Sequence, residues 1–159
     1  MGWLLLLVAI VGGQGTMKTG SADKRLRRNS QIVFVCEHGA ALSVVSAAYF
    51  NKMAREQHLD LRAIARGTSP QEDVSAAARR GLKADGIALE TKRPQVLSGK
   101  DTAHARRIVA FCPIPSKYSK KTPVETWNDV SWPAASYGPA RDAILKHLEE
   151  LMKELKAEE

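Results

Sequence analysis

Cysteines and aromatic residues are scarce in this chain. Only two of the 159 residues are cysteine, Cys36 and Cys112, and aromatic residues make up 6% of the sequence. Two cysteines are too few for a disulfide framework, and these two do not form a C-x-x-C pair. The four histidines stand singly, so the spacing of zinc ligands is missing as well, and we expect no metal and no cofactor.

Basic residues outnumber acidic residues in this chain. The chain has 24 Lys and Arg against 17 Asp and Glu, a formal net charge of +7, which favours anionic partners. Much of the excess lies in one short run, made of Lys18, Lys24, Arg25, Arg27 and Arg28. No aromatic residue is interleaved with this run, and it lies in a tail rather than along a folded face, so we expect no nucleic-acid partner.

Residues 1–30 form an apolar segment followed by this basic linker. The apolar run 3–11 and the two glycines after it resemble the core of a signal peptide, but the run is too short to span a bilayer. No Lys or Arg precedes it and five follow, the reverse of an export signal, and Met17 offers another start. We predict a cytoplasmic protein, with export through a signal peptide as the alternative. Membrane contact is expected only if this segment is retained.

Residues 31–156 are predicted to form one α/β domain. Apolar, β-branched runs predict strands at 31–35, 61–66, 107–111 and 124–127. Helical spacing and capping residues predict helices at 43–58, at 73–84 with Asp73 as the N-cap, and from Pro139 onward, with a helical turn at 101–105. This alternation predicts three layers: a four-stranded, mostly parallel sheet with helices on both faces. Ligands bind such sheets at the carboxyl ends of the strands.

The most distinctive local pattern runs from Val33 to Ser43 and reads VFVCEHGAALS. A strand ends on Cys36, a loop of small residues follows, and a helix begins near Ser43. In this geometry the loop N–H groups and the helix N-terminus converge on one point and form an anion site. The same positive field favours a nucleophilic thiolate at Cys36. The alternative interpretation is that Cys36 is simply a small buried residue at the end of a strand.

Four segments match one family pattern in order along 31–156. Cys36 and Ser43 fall on the Cys and Ser of a strand–C-x5-R-S–helix signature, and residues 65–68 resemble the S-A-G-T stretch after the second strand. Residues 109–112 resemble the end of the third strand, where a second redox cysteine stands, and residues 127–130 resemble the late loop with the general-acid aspartate. The domain thus resembles the superfamily of low-molecular-weight protein tyrosine phosphatases and thioredoxin-coupled arsenate reductases, which has the flavodoxin-like phosphotyrosine protein phosphatase I fold.

The resemblance implies a role for each matching residue. Cys36 would attack phosphorus and form a thiophosphate intermediate, while Asp129 would protonate the leaving group and then activate water. Cys112 would be a candidate redox partner of Cys36. The substrate would be a phosphorylated protein or a small oxyanion. The anion-binding loop would consist of Glu37, His38, Gly39, Ala40, Ala41, Leu42 and Ser43, with the Ser43 hydroxyl bonded to the thiolate.

One residue of the loop departs from the family pattern, and a second adds to its effect. Leu42 stands where the family has an arginine that grips two oxygens of the oxyanion, and leucine cannot do this. Glu37 places a carboxylate beside the thiol, which opposes thiolate formation and repels a phosphate dianion. His38 and Arg66 are the cations that could compensate.

Three functions therefore remain open. The first is a phosphatase-like hydrolase of weak activity that acts on phosphotyrosine-like monoesters. The second is a module that binds an oxyanion or a phosphoprotein without turnover. The third is a thiol redox protein using Cys36 and Cys112, for which their two strands must be neighbours in the sheet.

Overall fold

A fully buried strand lies at the centre of the fold. The computed structural model describes residues 30–132 and 136–159, and in them four parallel strands form one sheet in the order β2-β1-β3-β4. After Gln31 the central strand β1 is apolar and buried as far as Cys36, as expected for a parallel strand covered on both faces. The strands are β1 Gln31–Cys36, β2 Arg62–Gly67, β3 Ala105–Ala110 and β4 Val124–Thr126.

Four α-helices and one short 3-10 turn cover this sheet. The helices are α1 Leu42–Glu56, α2 Ala76–Ala84, α3 Gly99–Ala103 and α4 Tyr137–Ala157, and the 3-10 turn is Ser116–Tyr118. None of the helices within residues 30–132 and 136–159 has the length and apolar character needed to cross a membrane. The predicted N-terminal segment lies outside the described residues except for Ser30, and the domain limits stay a prediction.

The two faces of the sheet are covered unequally. Ile32 and Phe34 point to a large apolar cluster that includes buried residues of α1, α2 and α4. Val33 and Val35 point to a smaller cluster on the other face, where Tyr118 of the 3-10 turn packs. The short helix α3 also lies on that second face, because its Asp101 pairs with Arg66 of β2. The predicted α/β class with helices on both faces is confirmed, with three long helices on one face and short elements on the other.

Several predicted element boundaries are wrong by one to three residues, and three of them have a clear local cause. Helix α2 begins after Ser75 and not at Asp73, because the Ser75 side chain caps the Ala78 N–H while its own N–H bonds to the Ala40 carbonyl. The helical turn begins at Gly99, where Ser98 and Asp101 form a capping box that the sequence analysis overlooked. Helix α4 begins at Tyr137, two residues before Pro139, which the first turn of a helix tolerates.

A polar cluster joins the three long helices. One oxygen of Asp85 accepts hydrogen bonds from the hydroxyls of Tyr49 of α1 and Tyr137 of α4, at 2.5 and 2.8 Å. The Arg141 guanidinium donates to the same carboxylate at 3.2 Å. The Tyr137 ring is thereby held directly over Gly81 of α2, where a Cβ atom would overlap it.

We expect Gly81→Ala to destabilise the protein. Alanine favours a helix by about 1 kcal/mol over glycine, but overpacking against the fixed Tyr137 ring costs about 1–3 kcal/mol. The free energy of unfolding measured in urea should therefore fall. The matched control is Gly99→Ala in α3, where nothing lies within 4 Å of the added atom. A G81A variant as stable as G99A would show that the ring does not sit on Gly81.

Candidate active site

The carbonyl groups of the loop after β1 are turned outward. They accept hydrogen bonds from N–H groups of the segment between β2 and α2, in the pairs Thr68 to Cys36 (3.1 Å), Ser69 to Glu37 (2.8 Å), Gln71 to His38 (3.1 Å) and Ser75 to Ala40 (2.9 Å). In a trans peptide the N–H points opposite to the C=O. The N–H groups of residues 37, 38, 39 and 41 therefore turn to the inside of the loop, which makes a nest suited to an anion.

Two glycines allow this close approach of loop and strand end. Gly39 has a φ of +59°, a left-handed conformation that glycine adopts without steric cost. A Cβ atom on Gly39 would lie 2.9 Å from the Gly67 nitrogen, and one on Gly67 would lie 2.8 Å from the Gly39 nitrogen. The backbones of the loop and of β2 are therefore in direct contact, with no room for a side chain between them.

The Cys36 thiol lies at the base of the loop and at the N-terminus of α1. Its Sγ is 3.1 Å from the Ser43 Oγ, and both residues are buried. A hydroxyl at this distance can donate to a thiolate. Helix α1 has no side-chain cap and no acidic residue in its first turn. The positive end of its dipole is therefore not neutralised by the helix itself and acts on the Cys36 sulfur.

A pocket of about 380 Å³ opens above Cys36. Apart from the cysteines, its polar or charged lining comes from Glu37, His38, Gln71 and Ser75. Its apolar wall is made by Ala40, Ala41, Leu42, Phe111 and Trp132. A second cavity of about 320 Å³, along the outer edge of β2, contains neither cysteine. The first pocket therefore places the Cys36 thiol beside apolar walls.

No guanidinium reaches this pocket in the part of the chain that is described. Leu42 lines it at the position of the family arginine. Arg66 lies on the opposite face of the sheet, where its Nε and Nη2 each donate to Asp101 at 2.9 Å. Burial opposes ionisation of Asp101, but hydrogen bonds from Arg66 and Ser98 outweigh it and hold the pKa of Asp101 below its usual value. Arg66 is thus a structural partner of Asp101, and His38 is left as the one lining side chain that can carry positive charge.

Cys112 shares the pocket with Cys36. Strands β1 and β3 are neighbours, with Val35 opposite Ala110, so the chain beyond β3 runs beside the end of β1. Burial raises the pKa of the Cys112 thiol and outweighs the hydrogen bond with Thr68, which lowers it. Both cysteines are free thiols. The adjacency of strands that a redox pair requires is therefore present.

Asp129 is not among the residues that line the pocket. Its carboxylate oxygens accept from the His147 Nε2 of α4 at 2.9 and 2.8 Å, and its side chain is 71% exposed. The hydrogen bond from His147 holds the pKa of Asp129 below its ordinary value. The structure therefore places Cys36, most residues of the loop 37–43 and Cys112 around one pocket, and Asp129 is not part of its lining.

Sequence reasoning overlooked several residues that matter here. Gln71, Ser75 and Phe111 line the pocket, and His147 binds Asp129. Phe111 could have been found, since it directly precedes Cys112 at a strand end. His147 had no such signal, because it is 18 residues from Asp129 and sits on a helix among ordinary apolar spacing.

Comparisons with known proteins identify the fold. No protein-family model matches the chain, and no curated protein matches it. Among solved structures, YfkJ from Bacillus subtilis superposes with a TM-score of 0.73 at 16% identity, covering 82% of this chain and 97% of its own. A low-molecular-weight protein tyrosine phosphatase from T. tengcongensis gives 0.72 at 20% identity, with 79% and 99% covered. A thioredoxin-dependent arsenate reductase from Corynebacterium glutamicum gives 0.67 at 15% identity, with 87% and 73% covered.

The chain therefore has the fold that low-molecular-weight protein tyrosine phosphatases share with thioredoxin-dependent arsenate reductases. This confirms the fold that the sequence patterns predicted. At these identities the likeness establishes the fold, and the chemistry has to be inferred from the residues of the pocket.

We expect Gly39→Ala to disrupt the loop. A left-handed φ costs a non-glycine residue about 1–2 kcal/mol, and contact with the Gly67 backbone adds an overpacking cost of about 1–3 kcal/mol. Gly86→Ala is the matched control, because Gly86 has a φ of +67° with nothing within 4 Å of the added atom. Unfolding in urea should show a larger loss for G39A than for G86A. Equal losses would mean that the loop does not pack on the end of β2.

Proposed function

We propose that this protein is a weak cysteine-dependent phosphatase that acts on aryl phosphate monoesters, with phosphotyrosine-like groups as the substrate class. The single observation that carries the proposal is the position of Cys36, with its sulfur 3.1 Å from the Ser43 hydroxyl at the base of a loop whose N–H groups point inward. Phe111, Trp132 and Leu42 form apolar walls against which an aromatic leaving group can stack.

The proposed reaction has two steps. The Cys36 thiolate attacks phosphorus, so that an S–P bond forms while the P–O bond to the aryl group breaks, and the phenolate leaves and then takes a proton from water. Water then attacks phosphorus and the S–P bond breaks. The products are inorganic phosphate and the Cys36 thiolate, which the Ser43 hydroxyl stabilises by donating to it.

The inward N–H groups would bind the phosphoryl oxygens in both steps. Four such groups and the N-terminus of α1 supply positive potential without a cationic side chain. The missing arginine has a cost, since the loss of one well-placed donor lowers kcat by about 10²–10³. Because enzymes accelerate reactions by about 10⁶-fold or more, such a loss weakens catalysis and does not abolish it. Protonated His38 would recover part of the missing charge.

Hydrolysis of p-nitrophenyl phosphate tests this proposal directly. We expect slow turnover by the native protein and none by Cys36→Ser, because serine lacks a nucleophile that is ionised near neutral pH. Leu42→Arg should raise kcat/KM by about 10²-fold, since it restores a bidentate donor to the oxyanion. Val96→Arg is the matched control, because Val96 is 57% exposed and does not line the Cys36 pocket.

The same variants also distinguish a phosphatase from a module that only binds its ligand. Turnover in L42R but not in the native protein would mean a scaffold that binds oxyanions or phosphoproteins without turning them over. A folded L42R with no turnover would contradict the phosphatase proposal. Turnover that persists in C36S would assign it to a contaminant.

A second candidate function is thiol redox chemistry, favoured by the presence of both thiols in one pocket. In this reaction a peroxide would oxidise the Cys36 thiolate to a sulfenic acid. The Cys112 thiol would then attack that sulfur, forming an S–S bond and releasing water. The arrangement lacks a third cysteine, since the chain has two, so reduction would need an external dithiol.

We expect one equivalent of hydrogen peroxide to produce an intramolecular Cys36–Cys112 disulfide. Intact mass should fall by two hydrogens in the native protein and not in Cys112→Ser, and peptide mapping should recover the two cysteines in one crosslinked fragment. Oxidation of Cys36 to the sulfinic acid in the native protein, with Cys112 left as a thiol, would exclude this function.

A further inference from the structure

Asp129, the predicted general acid, is held in a contact with His147 of α4. Asp129 lies in the connection between β4 and α4, and both of its carboxylate oxygens are within 2.9 Å of the His147 Nε2. The Nε2–H donates to the carboxylate. An aspartate that acts as a general acid must instead be protonated and within hydrogen-bond reach of the leaving oxygen. The paired Asp129 meets neither condition, because it accepts from His147 and does not line the Cys36 pocket.

His147 itself is firmly placed. Its ring stacks on the indole of Trp127, with 4.7 Å between ring centroids and 19° between ring planes. Trp127 is 1% exposed and packs edge-on against Phe111, which lines the Cys36 pocket. Because His147 is fixed to the core through Trp127 and to the long helix α4, it is Asp129 that would move when the contact opens.

The charges around the pair also favour this arrangement. From α4 both the His147 ring and the Lys146 ammonium attract the carboxylate, and the His147 hydrogen bond is the larger effect in lowering the pKa of Asp129. The acidic residue of β4, Glu125, accepts a hydrogen bond from the Trp127 indole and is paired with Arg107. The carboxylate is thus stabilised in its ionised form outside the pocket.

We propose that His147 is a positioning residue that holds Asp129 away from the Cys36 pocket, so that phosphoryl transfer runs without its general acid until the contact opens. This inference rests on the proposed phosphatase function. Without an acid, the leaving phenolate must depart unprotonated, and the rate then depends steeply on how stable that phenolate is. The native protein should therefore favour p-nitrophenyl phosphate strongly over phenyl phosphate.

The test compares the two substrates in His147→Gln. Freed Asp129 should protonate the poor leaving group, so kcat for phenyl phosphate should rise by about 10-fold or more while kcat for p-nitrophenyl phosphate changes little. The double variant H147Q/D129N should lose this gain. His104→Gln, an exposed histidine at the end of α3, is the matched control and should leave the substrate ratio unchanged. An unchanged ratio in H147Q would overturn the proposal, because a merely structural histidine would alter both substrates alike.

A second readout does not depend on turnover. In H147Q the backbone amide resonances of residues 37–43 should shift as Asp129 moves toward the pocket, and D129N should reverse these shifts. Unchanged amide resonances in H147Q would overturn the positioning role even if hydrolysis is observed. If no variant hydrolyses either ester, the phosphatase proposal fails, and the NMR result alone decides where His147 holds Asp129.

Discussion

The backbone contact between the Cys36 loop and the end of β2 is the constraint on which the site depends. Gly39 and Gly67 touch without side chains between them, and hydrogen bonds from 68–75 fix the loop carbonyls outward. Because the carbonyl groups point outward, the N–H groups of the same peptides point to the inside of the loop. The same contact places Cys36 beneath those groups and Ser43 beside its sulfur. One packing requirement thus creates both the anion nest and the position of the nucleophile.

The electrostatics of the pocket differ from those of a site built around an arginine. Leu42 contributes apolar surface, and Arg66, which could have replaced the missing charge, is bound to Asp101 on the other face of the sheet. In the proposed function, anion binding would rest on backbone dipoles, the helix end and His38, and Glu37 would oppose it. Cys112 adds a second thiol to the pocket, and the proposed redox function would not require the arginine.

Much of the fold and half of the site could be predicted from sequence because they depend on local pattern. A buried strand ending on Cys36, small loop residues and a helix starting at Leu42 are contiguous, and the parallel order of strands follows from the alternation of elements. Cys112 was found by resemblance to the end of the third strand in arsenate reductases, and its place beside Cys36 depended on their two strands being neighbours. The general-acid position was found by resemblance alone, which fixes where Asp129 lies in the chain and not where its carboxylate points.

Side-chain pairs between distant segments could not be predicted from the sequence. The Arg66–Asp101 and Asp129–His147 pairs decide which charges reach the pocket, and neither follows from spacing or periodicity. The unequal layers had the same cause, since the apolar pattern of a helix does not say which face of a sheet it will cover.

The most direct test of the central claim, that Cys36 is a nucleophile in a backbone anion nest, is to trap the intermediate. The protein would be mixed with p-nitrophenyl phosphate, quenched in acid within the first turnover and analysed by peptide mass spectrometry. We predict that the peptide containing Cys36 gains one phosphoryl group and that the corresponding Cys36→Ala peptide does not. A native Cys36 peptide that stays unmodified while p-nitrophenol is released would contradict the account.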